Sequence, residues 1–318
     1  MAHAEFDLIA RIRARAGQRP DVVLGIGDDA AIVQVPAGFE LVVTADTLNQ
    51  SVHFPALTAP ADIGWKALAV NLSDLAAMGA APAWCTLSLS MPSADMPWLD
   101  AFLDGFLDLA DRHGVCLVGG DITRGPLSIS VTAMGLVQSG SALRRDRARI
   151  GDDIWVTGTL GDAAAALALQ LQGAAVPAML QARLDRPTPR VEAGLALTGL
   201  ATACIDLSDG LLADLGHIGE RSGVGVRIDL AALPVSVALA AFAPAQRWPW
   251  QAAGGDDYEL CFTASVLHRD AVQQAMDLAD LPATRIGRIV AEPGVVAVDA
   301  QGQAWQPPRS GYAHFSQA

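Results

Sequence analysis

Apolar residues recur along this 318-residue chain with two different periods, and the alternation between them lays out its elements. Phe39 to Thr44 is an apolar run of strand type. Thr58 to Met78 has the three-to-four spacing of a long helix, with Thr58 as cap, Pro60 near its start and Gly79 just past its end. Ala83 to Met91 alternates apolar with small polar residues, which predicts a half-buried strand. Pro97 to His113 is amphipathic and stops at Gly114. Val115 to Val118 is a short apolar strand running into Gly119-Gly120-Asp121, and Leu127 to Gln138 is a further strand. The first residues carry Glu5, Asp7, Arg11, Arg13 and Arg15 and fit an amphipathic helix, not the apolar core of a leader.

Ser139 to Asp153 breaks this rhythm. It is polar, glycine-flanked and basic, with Arg144, Arg145, Arg147 and Arg149, and reads as a boundary or an exposed arm and as a candidate moving part. The pattern then restarts. Ile154 to Thr157 is a strand; Asp162 to Leu171, Pro189 to Leu200 and Asp209 to Arg221 are helices, the last ending at Gly223. Strands follow near Val224 to Ile228, Leu260 to Thr263, Ile286 to Val290 and Val295 to Val298. The expectation is an α+β chain with α/β-like alternation in two domains, 1–150 and 151–318.

Composition narrows the function. A hydrophobic content of 52% fills two cores. The net charge of −13 has the wrong sign for reading nucleic acid or sitting on an anionic membrane, so an anionic ligand would have to arrive with cations. No apolar run approaches membrane-spanning length. Cys85, Cys116, Cys204 and Cys261 are far apart in apolar stretches, which argues against a CxxC metal site or a disulfide framework and for a reducing cytoplasm. Lys66 is the single lysine, either through drift towards arginine or because its position needs a compact ammonium.

The candidate chemistry lies in aspartates beside glycines or hydroxyls, hard oxygen donors of the kind that hold Mg²⁺ against a polyphosphate. Asp28 and Asp29 in Gly25-Ile26-Gly27-Asp28-Asp29 form either a surface turn or half of a cation site. In Thr44-Ala45-Asp46-Thr47 a strand ends in oxygen-bearing side chains, and the period of two puts Thr44 and Asp46 on one face, where they can share a cation. Asn71 and Asp74 share a face of an apolar helix, as ligands or as solvated residues. Gly119-Gly120-Asp121 follows a buried strand, and its glycines suit close approach of phosphate to N–H groups. Asp206-Leu207-Ser208-Asp209-Gly210 stands at a strand-to-helix junction, where Ser208 or Asp209 caps the helix or the set holds metal-bound phosphate. Gly254-Gly255-Asp256-Asp257-Tyr258-Glu259 repeats that logic, or is a solvated acidic turn. His53 is either a substrate contact or an ordinary surface histidine.

No GxxxxGK[ST] loop, protein-kinase set, GxSxG elbow or HExxH pair occurs. Phosphate would be held through metal ions, backbone N–H groups and Arg145.

In order and separation these motifs resemble the thiamine-monophosphate kinases, in the superfamily of aminoimidazole ribonucleotide synthetase and selenophosphate synthetase. The resemblance runs from Glu5-Phe6 to Gly311-Tyr312-Ala313-His314-Phe315. It implies a two-domain aminoimidazole ribonucleotide synthetase-like fold, with an N-terminal ATP- and Mg²⁺-binding domain that pairs subunits into a homodimer and a C-terminal domain that completes the active site. It also implies transfer of the γ-phosphoryl group of ATP to thiamine monophosphate. Metal ligands would be Asp29, Thr44, Asp46, Asp74, Asp121, Asp206 and Asp209, with Asp46, Asp121 and Asp209 central to catalysis. ATP would meet Gly120, Asp121, Arg145 and Ser208, and the thiamine phosphate His53, Asp257 and Tyr312. Where family members often have Gly-Gly-Glu-Asp, this chain has Asp256, a shorter carboxylate. Two alternatives remain: a related synthetase with another acceptor, or a nucleotide-binding regulator without turnover. Selenophosphate synthetase fits less well, because the first cysteine is Cys85.

Overall fold

A computed structural model describes residues 2–308 and 311–312, with side chains from residue 6 onward. The side chain of Glu5 and the residues Ala313 to Phe315 of the terminal motif lie outside it. The chain divides into two compact units, one of Met1–Leu75 with Ala80–Gly140 and one of Ala76–Gly79 with Ser141–Ala318.

The elements of the first unit are α1 (Ala2–Arg15), β1 (Val22–Leu24), β2 (Ile32–Val33), β3 (Phe39–Asn49), α2 (Pro60–Ala77), β4 (Ala81–Met91), α3 (Met96–Arg112), β5 (Cys116–Arg124) and β6 (Ser128–Gln138). Four strands form a sheet in the order β3-β6-β4-β5, antiparallel except for the parallel pair β4/β5, which α3 connects. The α/β-like alternation in the sequence comes from this crossover, since a parallel pair needs a helix-length connection. Alternate residues of β6, Ile129, Val131, Ala133 and Val137, are buried on one face, as are Leu87, Leu89 and Met91 of β4.

Helices α2 and α3 approach so closely that glycine is required where their backbones meet. A Cβ at Gly105 would stand 1.7 Å from the Ala61 carbonyl oxygen, and one at Gly64 2.0 Å from that of Phe102. Both lie far inside van der Waals contact. On the opposite face of the sheet, Val22, Ala31 and Val33 pack around Trp84, Cys116 and Val118. Leu41 and Val43 of β3 stay 42% and 56% exposed.

The second unit contains β7 (Asp153–Thr157), α4 (Asp162–Leu171), α5 (Ala178–Asp185), α6 (Val191–Ala196), β8 (Ala201–Asp206), α7 (Leu211–Ser222), β9 (Gly225–Asp229), α8 (Pro244–Ala253), β10 (Leu260–Ala264), α9 (Arg269–Leu278), β11 (Ala283–Val290), β12 (Gly294–Val298) and β13 (Ala304–Trp305). Its seven-stranded sheet runs β13-β12-β9-β11-β7-β10-β8, with β12/β9 its parallel pair. Leu211, Leu215 and Ile218 of α7 pack with Ile154, Val156, Ile205 and Val226 in the core.

Several elements differ from their sequence expectation. Strand β3 continues through Asp46 to Asn49, because full pairing with β6 outweighs the polar side chains. Strand β5 continues through Gly119-Gly120-Asp121 along β4. The expected helix over Pro189 to Leu200 is confined to Val191–Ala196. Helices α5, α8 and α9 are additional to those expected from the sequence. Ser139 to Asp153 is neither a free arm nor loosely held: Cys204 N–H donates to the Arg144 carbonyl at 3.1 Å, Ser222 Oγ donates to that of Arg145 at 2.9 Å, and Ala148 N–H donates to Ser222 Oγ at 3.1 Å. Three anchors on one short segment argue against the moving part expected there. Among the described residues, no helix is long and apolar enough to cross a membrane.

Candidate functional site

In the first unit, the period of two on β3 turns Val42, Thr44, Asp46 and Leu48 towards α2. Thr44 Oγ1 donates to Asp74 Oδ2 at 2.5 Å, and the Asp46 N–H donates to Asn71 Oδ1 at 3.1 Å. Asn71 is oriented by its own Nδ2, which donates to the Ala67 carbonyl. Thr44 and Asp46 share one face, and Asn71 and Asp74 another, as their spacing suggested; α2 lying across β3 brings the two pairs together. Asp74 is half-buried and does not lie on a solvated helix face. His53 is in the turn after β3, where its N–H donates to the Asn49 carbonyl and its Nδ1 accepts from the Asn49 N–H at 2.9 Å. An accepting Nδ1 means that Nε2 carries the proton, making this a donor suited to phosphate.

Asp121 is placed differently. The register aligns Thr47, Ser130, Ser88 and Asp121 in one row across the sheet, and Asp46, Val131, Leu87 and Gly120 in the next. Neighbouring rows face opposite ways, so Asp46 and Asp121 lie on opposite faces and on opposite edge strands. Three strand spacings separate them, roughly 14 Å. The reason for Gly120 also differs from expectation. At φ 150° its Cβ would stand 1.8 Å from the Leu87 carbonyl oxygen, so strand packing alone demands glycine. Asp28 and Asp29 are exposed in the loop between β1 and β2, with Asp29 N–H donating to Asp28 Oδ1.

In the second unit, three motifs far apart in sequence are laced by their backbones. Leu207 N–H donates to the Glu259 carbonyl, while Asp256 and Tyr258 N–H donate to those of Ser208 and Leu207. Tyr312 N–H donates to the Asp209 carbonyl at 3.1 Å. Ser208, Asp209, Asp256 and Tyr312 thus belong to one patch, and Asp206 is buried at the end of β8 that leads into it. Asp256 and Tyr258 have φ of 70° and 49°, left-handed conformations costing about 1 kcal/mol or more each. Arg145 is exposed, with its backbone held by Ser222.

The sequence reading missed Asp214. Neither Ser208 nor Asp209 caps α7; the residue before the helix is Gly210 at φ 118°. Instead, Asp214 Oδ2 accepts from the N–H groups of Ser208, Asp209 and Gly210 at 3.1, 3.1 and 3.0 Å. These N–H groups are therefore spent inside the protein, and the loop can offer phosphate its side chains but not this backbone. Burial and the neighbouring Asp209 push Asp214 up to about 7, against the lowering by its three N–H donors. Its signal in the sequence was an acid among Leu211, Leu215 and Ile218 on an apolar helix face. Asp214→Ala leaves three donors without their acceptor and should cost about 2 kcal/mol of stability and lower turnover. Urea unfolding and initial rates on the same sample would check both; an unchanged unfolding midpoint would show that the carboxylate does not hold the loop.

Asp257 and Glu259 are not a solvated turn. Asp257 is 2% exposed and both its oxygens accept from Gly161 N–H, at 2.9 and 3.1 Å; burial raises its pKa well above the carboxylate range. Its carboxyl is turned into the protein, leaving Asp256 as the less buried acid. Glu259 is fully buried and accepts from Thr157 Oγ1, from Arg183 Nη2 and from Arg190 Nε, each at 2.7 Å.

Among the described residues, no three His, Cys, Asp or Glu side chains gather into one metal-holding group. Mg²⁺ does not require one, because it is commonly held by one or two carboxylates, waters and substrate phosphate. Thr44 with Asp46 and Asp74, and Asp206 with Asp209, are hard-oxygen sets of that kind.

Residues 27–137 match the AIR synthase related protein, N-terminal domain, and residues 149–300 the AIR synthase related protein, C-terminal domain. The fold is that of a two-domain AIR synthase related protein. Thiamine-monophosphate kinase of Escherichia coli (strain K12) is 47% identical over 99% of both chains, and that of Bacillus subtilis (strain 168) 37% over 90% of this chain and 91% of its own. The crystal structure of thiamine-monophosphate kinase from Stenotrophomonas maltophilia K279a superposes with a TM-score of 0.88 at 58% identity, covering 95% of this chain and 98% of that one. AaThiL complexed with AMPPCP and TMP gives 0.77 at 31% identity, covering 99% and 98%. The chain belongs to the thiamine-monophosphate kinase family.

Proposed function

We infer that the chain transfers the γ-phosphoryl group of ATP to thiamine monophosphate, giving thiamine diphosphate and ADP. The carrying observation is identity approaching one half with a thiamine-monophosphate kinase over the full length of both chains. The nucleophile is a phosphate monoester oxygen, already largely ionised near neutrality because the second phosphate pKa is about 6, so no residue has to remove a proton. The barrier is repulsion between two anions, and catalysis is positioning and charge compensation.

Mg²⁺ is held by Asp29, Thr44, Asp46, Asp74 and Asp121 of the first unit and by Asp206 and Asp209 of the second. When bound, the ions neutralise phosphate charge. Asp46, Asp121 and Asp209 are the most exacting of these ligands. Gly120, Asp121, Arg145 and Ser208 meet ATP. His53 donates from Nε2 to the acceptor phosphate, and Tyr312 borders it, with Asp257 behind the same loop. The lacing of β3 to α2, and of Tyr312 to Asp209, supports this reading because it fixes the Thr44 and Asp74 side chains and the backbone of Asp46, Asp209 and Tyr312 before substrate arrives.

The protein acts as a homodimer, pairing through the sheet face that leaves Leu41 and Val43 exposed; light scattering should return twice 33.0 kDa. Its place is the cytoplasm, in keeping with four buried free thiols.

The test is product chromatography after incubation with ATP, Mg²⁺ and either thiamine monophosphate or thiamine. Equal thiamine diphosphate and ADP, from the monophosphate alone, are expected. ADP without a new thiamine species would replace the acceptor, and no ADP would remove the kinase reading.

A further inference from the structure

Helix α2 meets β3 and the turn after it through three polar side chains. Asp74 accepts from Thr44, Asn71 accepts from Asp46, and Lys66 Nζ donates to the His53 carbonyl at 3.3 Å. Two of these contacts position residues assigned to Mg²⁺. The third reaches the residue assigned to the acceptor phosphate. Lys66 is the chain's single lysine and is 3% exposed, an unusual place for an ammonium. The turn it touches is tight: Val52 and His53 N–H both donate to the Asn49 carbonyl, Ser51 N–H donates to that of Phe54, and Ser51 sits at φ 65°. A left-handed serine is held there against its own preference.

We propose that Lys66 is a positioning residue for the acceptor: its ammonium, anchored within α2, holds the His53 carbonyl and so sets where the imidazole presents Nε2. A compact ammonium suits this buried site, whereas a planar guanidinium is longer and needs a forked partner. The inference rests on the kinase reading. It adds that the turn's geometry, and hence acceptor affinity, depends on a residue that does not touch substrate.

The experiment compares wild type, Lys66→Met, His53→Ala and the double variant in steady-state kinetics with each substrate varied. Lys66→Met should raise KM for thiamine monophosphate about tenfold, with KM for ATP and the Mg²⁺ dependence unchanged and kcat little altered. The double variant should be no worse than His53→Ala, because Lys66 acts on the acceptor only through the imidazole that the alanine has already removed. Equal effects on both KM values, or additive effects in the double variant, would overturn the proposal and leave Lys66 a packing residue. If Lys66→Met does not fold, Lys66→Gln takes its place under the same criterion. Nitrogen-15 NMR of the His53 ring gives a readout independent of turnover. Wild type should show an unprotonated Nδ1 and the variant a mixture of tautomers; an unchanged ring spectrum would also overturn the proposal. A wild type that makes no thiamine diphosphate would instead sink the kinase reading, while the NMR comparison would still decide the role of Lys66.

Discussion

Asp209→Asn should lower kcat by about a thousandfold, close to 4 kcal/mol of barrier, without unfolding the protein. The fold uses the backbone of Asp209 and not its charge: its N–H donates to Asp214 and its carbonyl accepts from Tyr312 N–H, and asparagine keeps both. The Asp209 charge works against the fold, because it is one of the causes raising the Asp214 pKa. Removing it should leave the unfolding midpoint unchanged or higher while activity collapses, which separates a ligand from a structural acid. Asp46→Asn should behave alike in turnover, since the Asp46 N–H that binds Asn71 survives the change. Near wild-type rates in either variant at saturating Mg²⁺ and ATP would end the reading of these aspartates as metal ligands.

Glu259→Gln should act in the opposite way, on stability first. The carboxylate is fully buried and holds Arg183 and Arg190, whose side chains are 18% and 17% exposed, to the Thr157 hydroxyl. A neutral amide leaves two guanidinium groups without their countercharge in a site shaped for it. Even Gly158, at φ 58°, would place a Cβ 2.2 Å from the Glu259 side chain. Breaking one side of a buried ion cluster costs about 3–5 kcal/mol, a large part of the stability of one domain. Urea unfolding followed by tryptophan fluorescence should show the transition of the second unit at a lower midpoint with unchanged slope. A loss under about 1 kcal/mol would mean that the cluster behaves as a surface pair.

The two variants mark how far the sequence could be read. Asp209 announced itself through local chemistry, an acid between a hydroxyl and a glycine at a strand-to-helix junction. Glu259 sat in an acidic run that looked equally like a solvated turn, and nothing local shows that Arg183 and Arg190 reach it. Asp214 was hidden for a similar reason: its three partners precede it on a loop whose course is set by pairing with residues 256–258. Thr44 and Asp46 were placed on one face by the period of a strand, but their meeting with Asp74 and Asn71 depended on α2 lying across β3. Asp121 looked equivalent to Asp46 in composition, and the sheet order put it on the other face and the far edge.

By itself, the sequence determined most of the elements, the presence of two domains and the family, and it singled out acids beside glycines and hydroxyls, because periodicity, turn chemistry and motif order are properties of neighbouring residues. The tertiary structure decided which acids are available to a ligand and which are consumed by the protein. That outcome depends on contacts between residues distant in the chain, where burial and hydrogen-bond partners are set by sheet order and register, and it left Asp209 half-buried while Asp257 and Glu259 were turned inward.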